Sequence, residues 1–132
     1  MKIAIFNDDL LGVVMGDRVT DVSKVAGWDK GDPNSSFLKL VENFNELKEE
    51  MNREAETGTS YSLNEVTLKS PVPSTRKIWA APVNYRKHQE EMNEIFNYAP
   101  RTIEEIALFL KSPESLSGPS DPILLPFKDR RT

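Results

Sequence analysis

The chain has 132 residues, the length of one ordinary domain, and its 38% apolar and 29% charged residues argue against both wholesale disorder and two fully cored domains. Its 17 basic and 21 acidic residues give a net charge of −4, which argues against nucleic acid as a partner. With no Cys and a single His, disulfides, thiolate metal sites and multi-histidine metal sites are excluded. No apolar run is long enough for a membrane span or a signal peptide, so we expect a cytoplasmic protein with no membrane partner.

The N-terminal residues predict a small antiparallel meander. Three β-branched runs, Lys2–Phe6, Leu11–Met15 and Arg18–Val22, are separated by the turn-forming segments 7–9 and 16–17. Both segments contain Asp, and their carboxylates are also candidates for a metal cluster. Because Asp is favoured in hairpin turns for its own backbone hydrogen bonds, we interpret these residues as turn residues.

A loop and a long amphipathic helix follow the meander. Gly, Asp, Pro, Asn and Ser between positions 27 and 35 predict the loop, with Ser35 or Ser36 as the helix N-cap. The helix is predicted over 36–54 because apolar residues recur there every three or four positions. These residues are Phe37, Leu40, Val41, Phe44, Leu47 and Met51. We interpret this face as a core face without a functional role.

The second half of the chain predicts shorter elements around several prolines. We expect a strand over 62–72, a linker over 71–76 and a buried strand over 78–83. A helix is predicted over 84–98, a capped helical turn over 102–105 with a strand over 106–110 directly after it, and a short strand over 123–125. The predicted fold class is α+β. It comprises a small N-terminal domain of meander and helix, residues 1–72, followed by a second region, residues 73–132.

Two features of the second region carry candidate chemistry. His88 and Glu91 are one helical turn apart, so they share a side of the predicted helix, and such a pair can activate water. The same spacing is also typical of charged residues that only decorate a helix surface. Lys111, at the end of the apolar run 108–110, can present an ammonium group to an anionic substrate.

Three motifs in fixed order resemble the fumarylacetoacetate hydrolase superfamily. Residues 77–83 lead into Asn84-Tyr85-x-x-His88-x-x-Glu91-Met92, which is followed by Phe109-x-Lys111-Ser112-Pro113 and then by Gly118-Pro119-x-Asp121-Pro122-Ile123-x-Leu125-Pro126. The resemblance covers residues 77–132 strongly. Residues 1–76 resemble the small, variable N-terminal domain of bacterial members.

This resemblance implies both a fold and a set of residue roles. Residues 73–132 would be the first strands and the lid helix of the family's mixed β-roll, in a truncated form. His88 and Glu91 would be the catalytic, water-activating dyad, and Asn84, Tyr85 and Lys111 would bind substrate. The family uses a divalent metal, Mg, Mn or Ca, held by a Glu-x-Glu pair and a later Asp downstream of the last motif. This chain has none of those ligands, so we expect it to be the N-terminal portion of such an enzyme.

Two functions of different classes follow from these observations. In the first, the chain is part of a metal-dependent hydrolase, isomerase or decarboxylase of aromatic catabolism, homodimeric at full length. Its small-molecule substrate would be a 2-oxo or 2,4-dioxo acid of the acylpyruvate type. In the second, the chain is a non-catalytic binding or assembly module, because its apolar strands 78–83 and 108–110 would remain uncovered and favour association with a partner chain.

Overall fold

The computed structural model describes residues 1–97, 101, 103–125 and 127, and the chain divides into two compact units. The first unit contains Met1–Ser74 together with the chain from Ser117 onward, and the second contains Thr75–Leu116. Helices accompany antiparallel sheets, which confirms the predicted α+β class. Among the described residues, no helix has the length and apolar character that crossing a membrane requires.

The first unit is a four-stranded antiparallel sheet, in the order β1-β2-β3-β4, with two helices. Its elements are β1 (Lys2–Phe6), β2 (Leu10–Met15), β3 (Arg18–Asp21), α1 (Pro33–Glu42), α2 (Phe44–Thr57) and β4 (Ser60–Ser62). The three predicted meander strands are therefore confirmed, with ends that differ by a single residue. β4 joins the meander at β3, with Val19 opposite Tyr61.

Turn residues fix the register of the meander. Asn7 and Asp9 lie in the first turn with φ of 49° and 58°, and Gly16 lies in the second with φ of 62°. These residue types tolerate the left-handed backbone that tight turns require. The interpretation of the Asp residues as turn residues is confirmed for both turns.

The core of the first unit lies between the sheet and the two helices. Its buried members are Ile5, Leu11, Val13, Val22, Trp28, Leu40, Met51 and Ala55. On β2, a side chain at Gly12 would place its Cβ 2.3 Å from Val19 Cγ2 and 2.8 Å from Phe6 Cε1. The absence of a side chain at Gly12 therefore allows Phe6, which is fully buried, to pack against the ring of Tyr61 at a centroid distance of 5.8 Å.

The single helix predicted over 36–54 is wrong in two respects. It is two helices that meet at Asn43, whose backbone N–H and side-chain Nδ2 both donate to Lys39 O. An Asn side chain that competes for backbone partners in this way favours a break. The N-cap is Asp32 rather than Ser35 or Ser36, and hydrogen bonds from Ser35 hold the pKa of Asp32 below its ordinary value.

The strand predicted over 62–72 is also wrong over most of its length. β4 ends at Ser62, and Leu63–Glu65 form a 3₁₀ turn. The chain then runs along the free edge of β1, where Leu68 forms an isolated bridge with Phe6 and Lys69 N–H donates to Ile5 O at 2.8 Å. This segment gains its hydrogen bonds from a strand that is distant in sequence, which local patterns do not reveal.

The second unit contains β5 (Ile78–Ala80), α3 (Arg86–Phe96), α4 (Ile103–Ile106), β6 (Phe109–Lys111) and a 3₁₀ turn at Pro113–Ser115. β5 is shorter than predicted and is not buried, since Trp79 is 59% exposed. The strand predicted over 106–110 begins only at Phe109. No strand occurs at 123–125, where Ile123 and Leu124 are exposed. Tyr98 and Thr102, the ends of two predicted helical segments, lie outside the described residues.

Limited proteolysis by trypsin is expected to cut first in the second unit, at Arg86 or Lys87 in α3 or after Lys111. None of the residues of α3 and β6 is buried, whereas α1 and α2 contribute buried Leu40 and Met51 to the core. Elements with few buried contacts open at the lowest free energy. Mass spectrometry of the first fragments checks this expectation. A first cut at a basic residue of α1 or α2 would contradict it.

Candidate active site

A two-stranded antiparallel sheet forms the base of the candidate site. β5 and β6 pair with Ile78 opposite Lys111, Trp79 opposite Leu110 and Ala80 opposite Phe109. Opposite residues project to the same face of a sheet, so Trp79 and Leu110 share one face and Lys111 lies on the other. Both sides of this small sheet retain exposed apolar surface.

The connection from β5 to α3 contains a strained residue. Val83 has φ of 48°, in the left-handed region that β-branched residues rarely adopt, at a typical cost of about 1–3 kcal/mol. Asn84 and Tyr85 follow immediately, both exposed, and Tyr85 O accepts the first helical hydrogen bond from Gln89 N–H. No local sequence pattern predicts this strain, because Val is disfavoured at such a position.

α3 brings the predicted catalytic pair together. His88 Nδ1 lies 3.7 Å from Glu91 Oε2, and the two side chains are 48% and 52% exposed. The separation exceeds a hydrogen-bond length but is within the range of an ion pair. Lys87 Nζ lies 4.0 Å from Glu91 Oε1, so one carboxylate faces two basic groups. This arrangement directs Nδ1 of His88 toward Glu91 and leaves Nε2 for a water molecule.

Lys111 is exposed at the end of β6 and makes no ion pair with the described residues. A structured turn follows it at once. Ser112 Oγ donates to the Glu114 carboxylate, and this hydrogen bond holds the pKa of Glu114 below its ordinary value. Ser115 N–H and Oγ both contact Ser112 O, at 3.0 Å and 2.7 Å. Lys111 is therefore presented from a strand end whose continuation is held by local hydrogen bonds.

The five predicted site residues all lie in the second unit, but the structure does not join all of them. His88 and Glu91 are in contact, Asn84 and Tyr85 begin their helix, and Lys111 lies on a separate strand. Within the described residues, no hydrogen bond or ion pair links Lys111 to the His88–Glu91 pair.

The described residues do not fit a complete metal centre. Among them, no group of three or more His, Cys, Asp or Glu side chains is close enough together to hold a metal ion. The His88–Glu91 pair supplies only two donors, and Glu91 is also paired with Lys87.

Two apolar clefts lie in the first unit. One, of about 330 Å³, is lined by residues of α1 together with Ile3, Phe44 and Pro71. The other, of about 290 Å³, lies along β1 and includes Ile3, Pro71 and Pro119 in its walls. None of the predicted site residues lines either cleft.

Comparisons with known proteins identify relatives along nearly the whole chain. No protein-family model matches it. A curated maleylpyruvate hydrolase from Aquipseudomonas alcaligenes is 32% identical over an alignment of 140 positions, which covers 99% of this chain and 48% of the relative. The chain also matches a solved structure, that of maleylpyruvate hydrolase from Sphingobium sp. SYK-6 in complex with manganese(II) and pyruvate. The TM-score is 0.74 and the sequence identity is 32%, and the match covers 95% of this chain and 42% of that chain. A second structure of the Sphingobium hydrolase gives a TM-score of 0.73 at 31% identity.

These matches, with the ordered motifs and the α+β fold, show that the chain is similar to members of the fumarylacetoacetate hydrolase superfamily. Within that superfamily, the relatives found are maleylpyruvate hydrolases. The resemblance predicted from the sequence is thereby confirmed. The chain spans about half the length of the curated relative that it matches.

Proposed function

We propose that this chain is part of a metal-dependent hydrolase that cleaves a carbon–carbon bond in an acylpyruvate. The observation that carries the proposal is the contact between His88 and Glu91 on an exposed helix, in a chain 32% identical to a maleylpyruvate hydrolase. The related Sphingobium enzyme contains manganese and pyruvate, and pyruvate is a product of acylpyruvate hydrolysis.

In the proposed reaction, His88 acts as the general base. Its Nε2 accepts a proton from water as the water oxygen adds to the acyl carbonyl carbon of the substrate. The bond between that carbon and the neighbouring CH₂ then breaks, and the CH₂ carbon takes the electron pair together with the proton that His88 removed from the water. The products are a carboxylic acid and pyruvate. Glu91, 3.7 Å from Nδ1, stabilises the imidazolium that forms after the first proton transfer.

The proposal assigns substrate binding to three further residues. The Lys111 ammonium, exposed and without an ion pair among the described residues, is available for a substrate carboxylate. Asn84 and Tyr85 offer an amide and a hydroxyl at the start of α3. Because α3 has no buried residue, we propose that it is a lid over the substrate and that β5 and β6 begin the family's β-roll.

Three further expectations from the sequence remain proposals. They are the boundary between regions 1–72 and 73–132, a homo-oligomeric enzyme, and a cytoplasmic location. We assign the metal ligands to polypeptide other than the described residues, since these contain no suitable cluster.

A turnover assay tests the proposed function. We expect the 132-residue chain alone to give no metal-dependent hydrolysis of an acylpyruvate with Mg²⁺ or Mn²⁺, because nothing in the described residues fixes the substrate through a metal. A longer chain that adds the acidic metal ligands should hydrolyse it, as followed by loss of the enol absorbance. His88→Ala should abolish that activity.

Two outcomes would contradict these assignments. Metal-dependent decay by the 132-residue chain that His88→Ala abolishes would show that this chain binds the metal itself. Absence of hydrolysis by the longer, metal-loaded chain would contradict the proposed reaction.

A second candidate function is an assembly module, and one observation favours it. Trp79, Leu108, Phe109 and Leu110 are between 47% and 59% exposed, and a two-stranded sheet is marginally stable without a packing partner. Sedimentation of the 132-residue chain with binding of a hydrophobic dye tests this function. A sharp monomer peak without dye binding would remove its support.

A further inference from the structure

The chain from Ser117 to Asp121 returns to the first unit through a buried glycine. Gly118 is buried, whereas its neighbours Ser117 and Pro119 are exposed. A Cβ at Gly118 would lie 2.6 Å from Lys69 C and 2.7 Å from Ser70 N. These contacts are with backbone atoms, which cannot turn aside as a flexible side chain can. Only glycine fits here without a backbone shift.

Hydrogen bonds hold this turn to itself and to the neighbouring segment. Gly118 N–H donates to Asp121 Oδ2 at 2.6 Å, and Asp121 N–H donates back to Gly118 O at 3.1 Å. Ser120 Oγ accepts the Leu68 N–H at 3.0 Å. We call residues 118–121 the clasp.

The segment that receives the clasp is itself attached to the core. Leu68 bridges Phe6, which is fully buried, and Lys69 N–H donates to Ile5 O at 2.8 Å. The clasp is therefore fixed, through one short stretch of backbone, to the most buried part of β1.

The positions of the clasp and of the β5–β6 pair along the chain form a closed ring. Residues 71–77 connect Ser70 to Ile78, and Ile78 pairs with Lys111 across the β5–β6 sheet. Residues 112–117 then connect Lys111 to Gly118, which lies against the backbone of Ser70. The contact between Gly118 and Ser70 joins the ends of the two connecting segments, 71–77 and 112–117. This closure removes conformational freedom from the strand end that carries Lys111.

We propose that the clasp is a positioning device for Lys111: Gly118, Ser120 and Asp121 close the ring that limits where the Lys111 ammonium can lie when it meets a substrate carboxylate. The proposal rests on the substrate-binding role assigned to Lys111 above. We assign the clasp residues a positioning role rather than a direct contact with substrate.

Hydrogen exchange on the 132-residue chain tests the restraint independently of any activity. Ser120→Ala and Asp121→Ala each remove one acceptor, and we expect exchange of the Leu68 and Gly118 amides, respectively, to accelerate about tenfold. The amides of β5 and β6 should also exchange faster, while those of β2 should not change. Asp121→Asn keeps an acceptor oxygen and should behave like the wild type. Ser117→Ala is the matched control, because Ser117 makes no hydrogen bond among the described residues.

Kinetics of the longer, metal-loaded chain test the positioning role. Asp121→Ala should raise KM with a smaller change in kcat, and Asp121→Asn should restore KM. In the Lys111→Met background, Asp121→Ala should have no further effect, because both changes remove the same interaction. A structural defect elsewhere would instead multiply the two effects.

Each outcome decides one point. Faster exchange at Leu68 and Gly118 without any change in β5 and β6 would show that the clasp does not restrain these two strands. Multiplicative effects of Asp121→Ala and Lys111→Met on KM would contradict the positioning role. If the wild-type longer chain hydrolyses no acylpyruvate, the proposed function fails and the substrate role of Lys111 fails with it. The hydrogen-exchange result would still show whether the clasp restrains β5 and β6.

Discussion

Replacing Glu91 by Gln in a longer, metal-loaded chain with the proposed hydrolase activity is expected to lower kcat by about 10²- to 10⁴-fold, the usual contribution of general acid–base catalysis. The variant keeps the shape of the side chain 3.7 Å from His88 Nδ1 but removes the charge that supports the imidazolium. KM should change little, because the loss arises only when the proton moves. Steady-state kinetics with an acylpyruvate provide the measurement.

Glu90→Gln is the matched control for this substitution. Glu90 lies on the same helix and is exposed, but it forms no ion pair with the described residues. Both substitutions should leave stability nearly unchanged, since exposed ion pairs contribute little to it. Equal rates for the two variants would mean that Glu91 is an ordinary surface residue, the alternative that its spacing alone leaves open.

The second large effect is on stability. Phe6→Ala is expected to lower the free energy of unfolding of the first unit by about 3–5 kcal/mol, the usual cost of truncating a buried Phe. Phe6 is fully buried, contacts the Tyr61 ring and packs over Gly12. The free energy of unfolding of a small domain is about 5–15 kcal/mol in total, so this variant should be largely unfolded at moderate urea concentrations.

Urea denaturation followed by Trp28 fluorescence measures this loss. Trp28 is buried in the first unit, and Trp79 should be replaced by Phe in all samples so that only one unit reports. Phe96→Ala is the control, because Phe96 is 66% exposed on α3 and its truncation should alter stability by no more than about 0.5 kcal/mol. An equal loss in both variants would contradict the burial of Phe6 in the first unit.

Local sequence determined the elements whose causes lie within a few residues. The meander strands follow from β-branched runs between turn residues, and α3 follows from helical periodicity, which also places His88 and Glu91 one turn apart. The motif order around these residues was sufficient to predict the resemblance to the superfamily, which the comparisons confirm. The Asp32-Pro33 pair was a usable signal for the start of α1 that the serines nearby obscured.

Tertiary structure decided what depends on partners distant in sequence. Leu40 of α1 and Met51 of α2 join one buried cluster with residues of the sheet, and Leu68 extends along β1 because the Phe6 edge supplies its bridge. Gly118 lies close to Ser70 only after the chain has passed through the whole second unit. A local pattern records the conformational preference of its own residues, whereas these three features depend on hydrogen bonds and packing that exist only once the chain has folded.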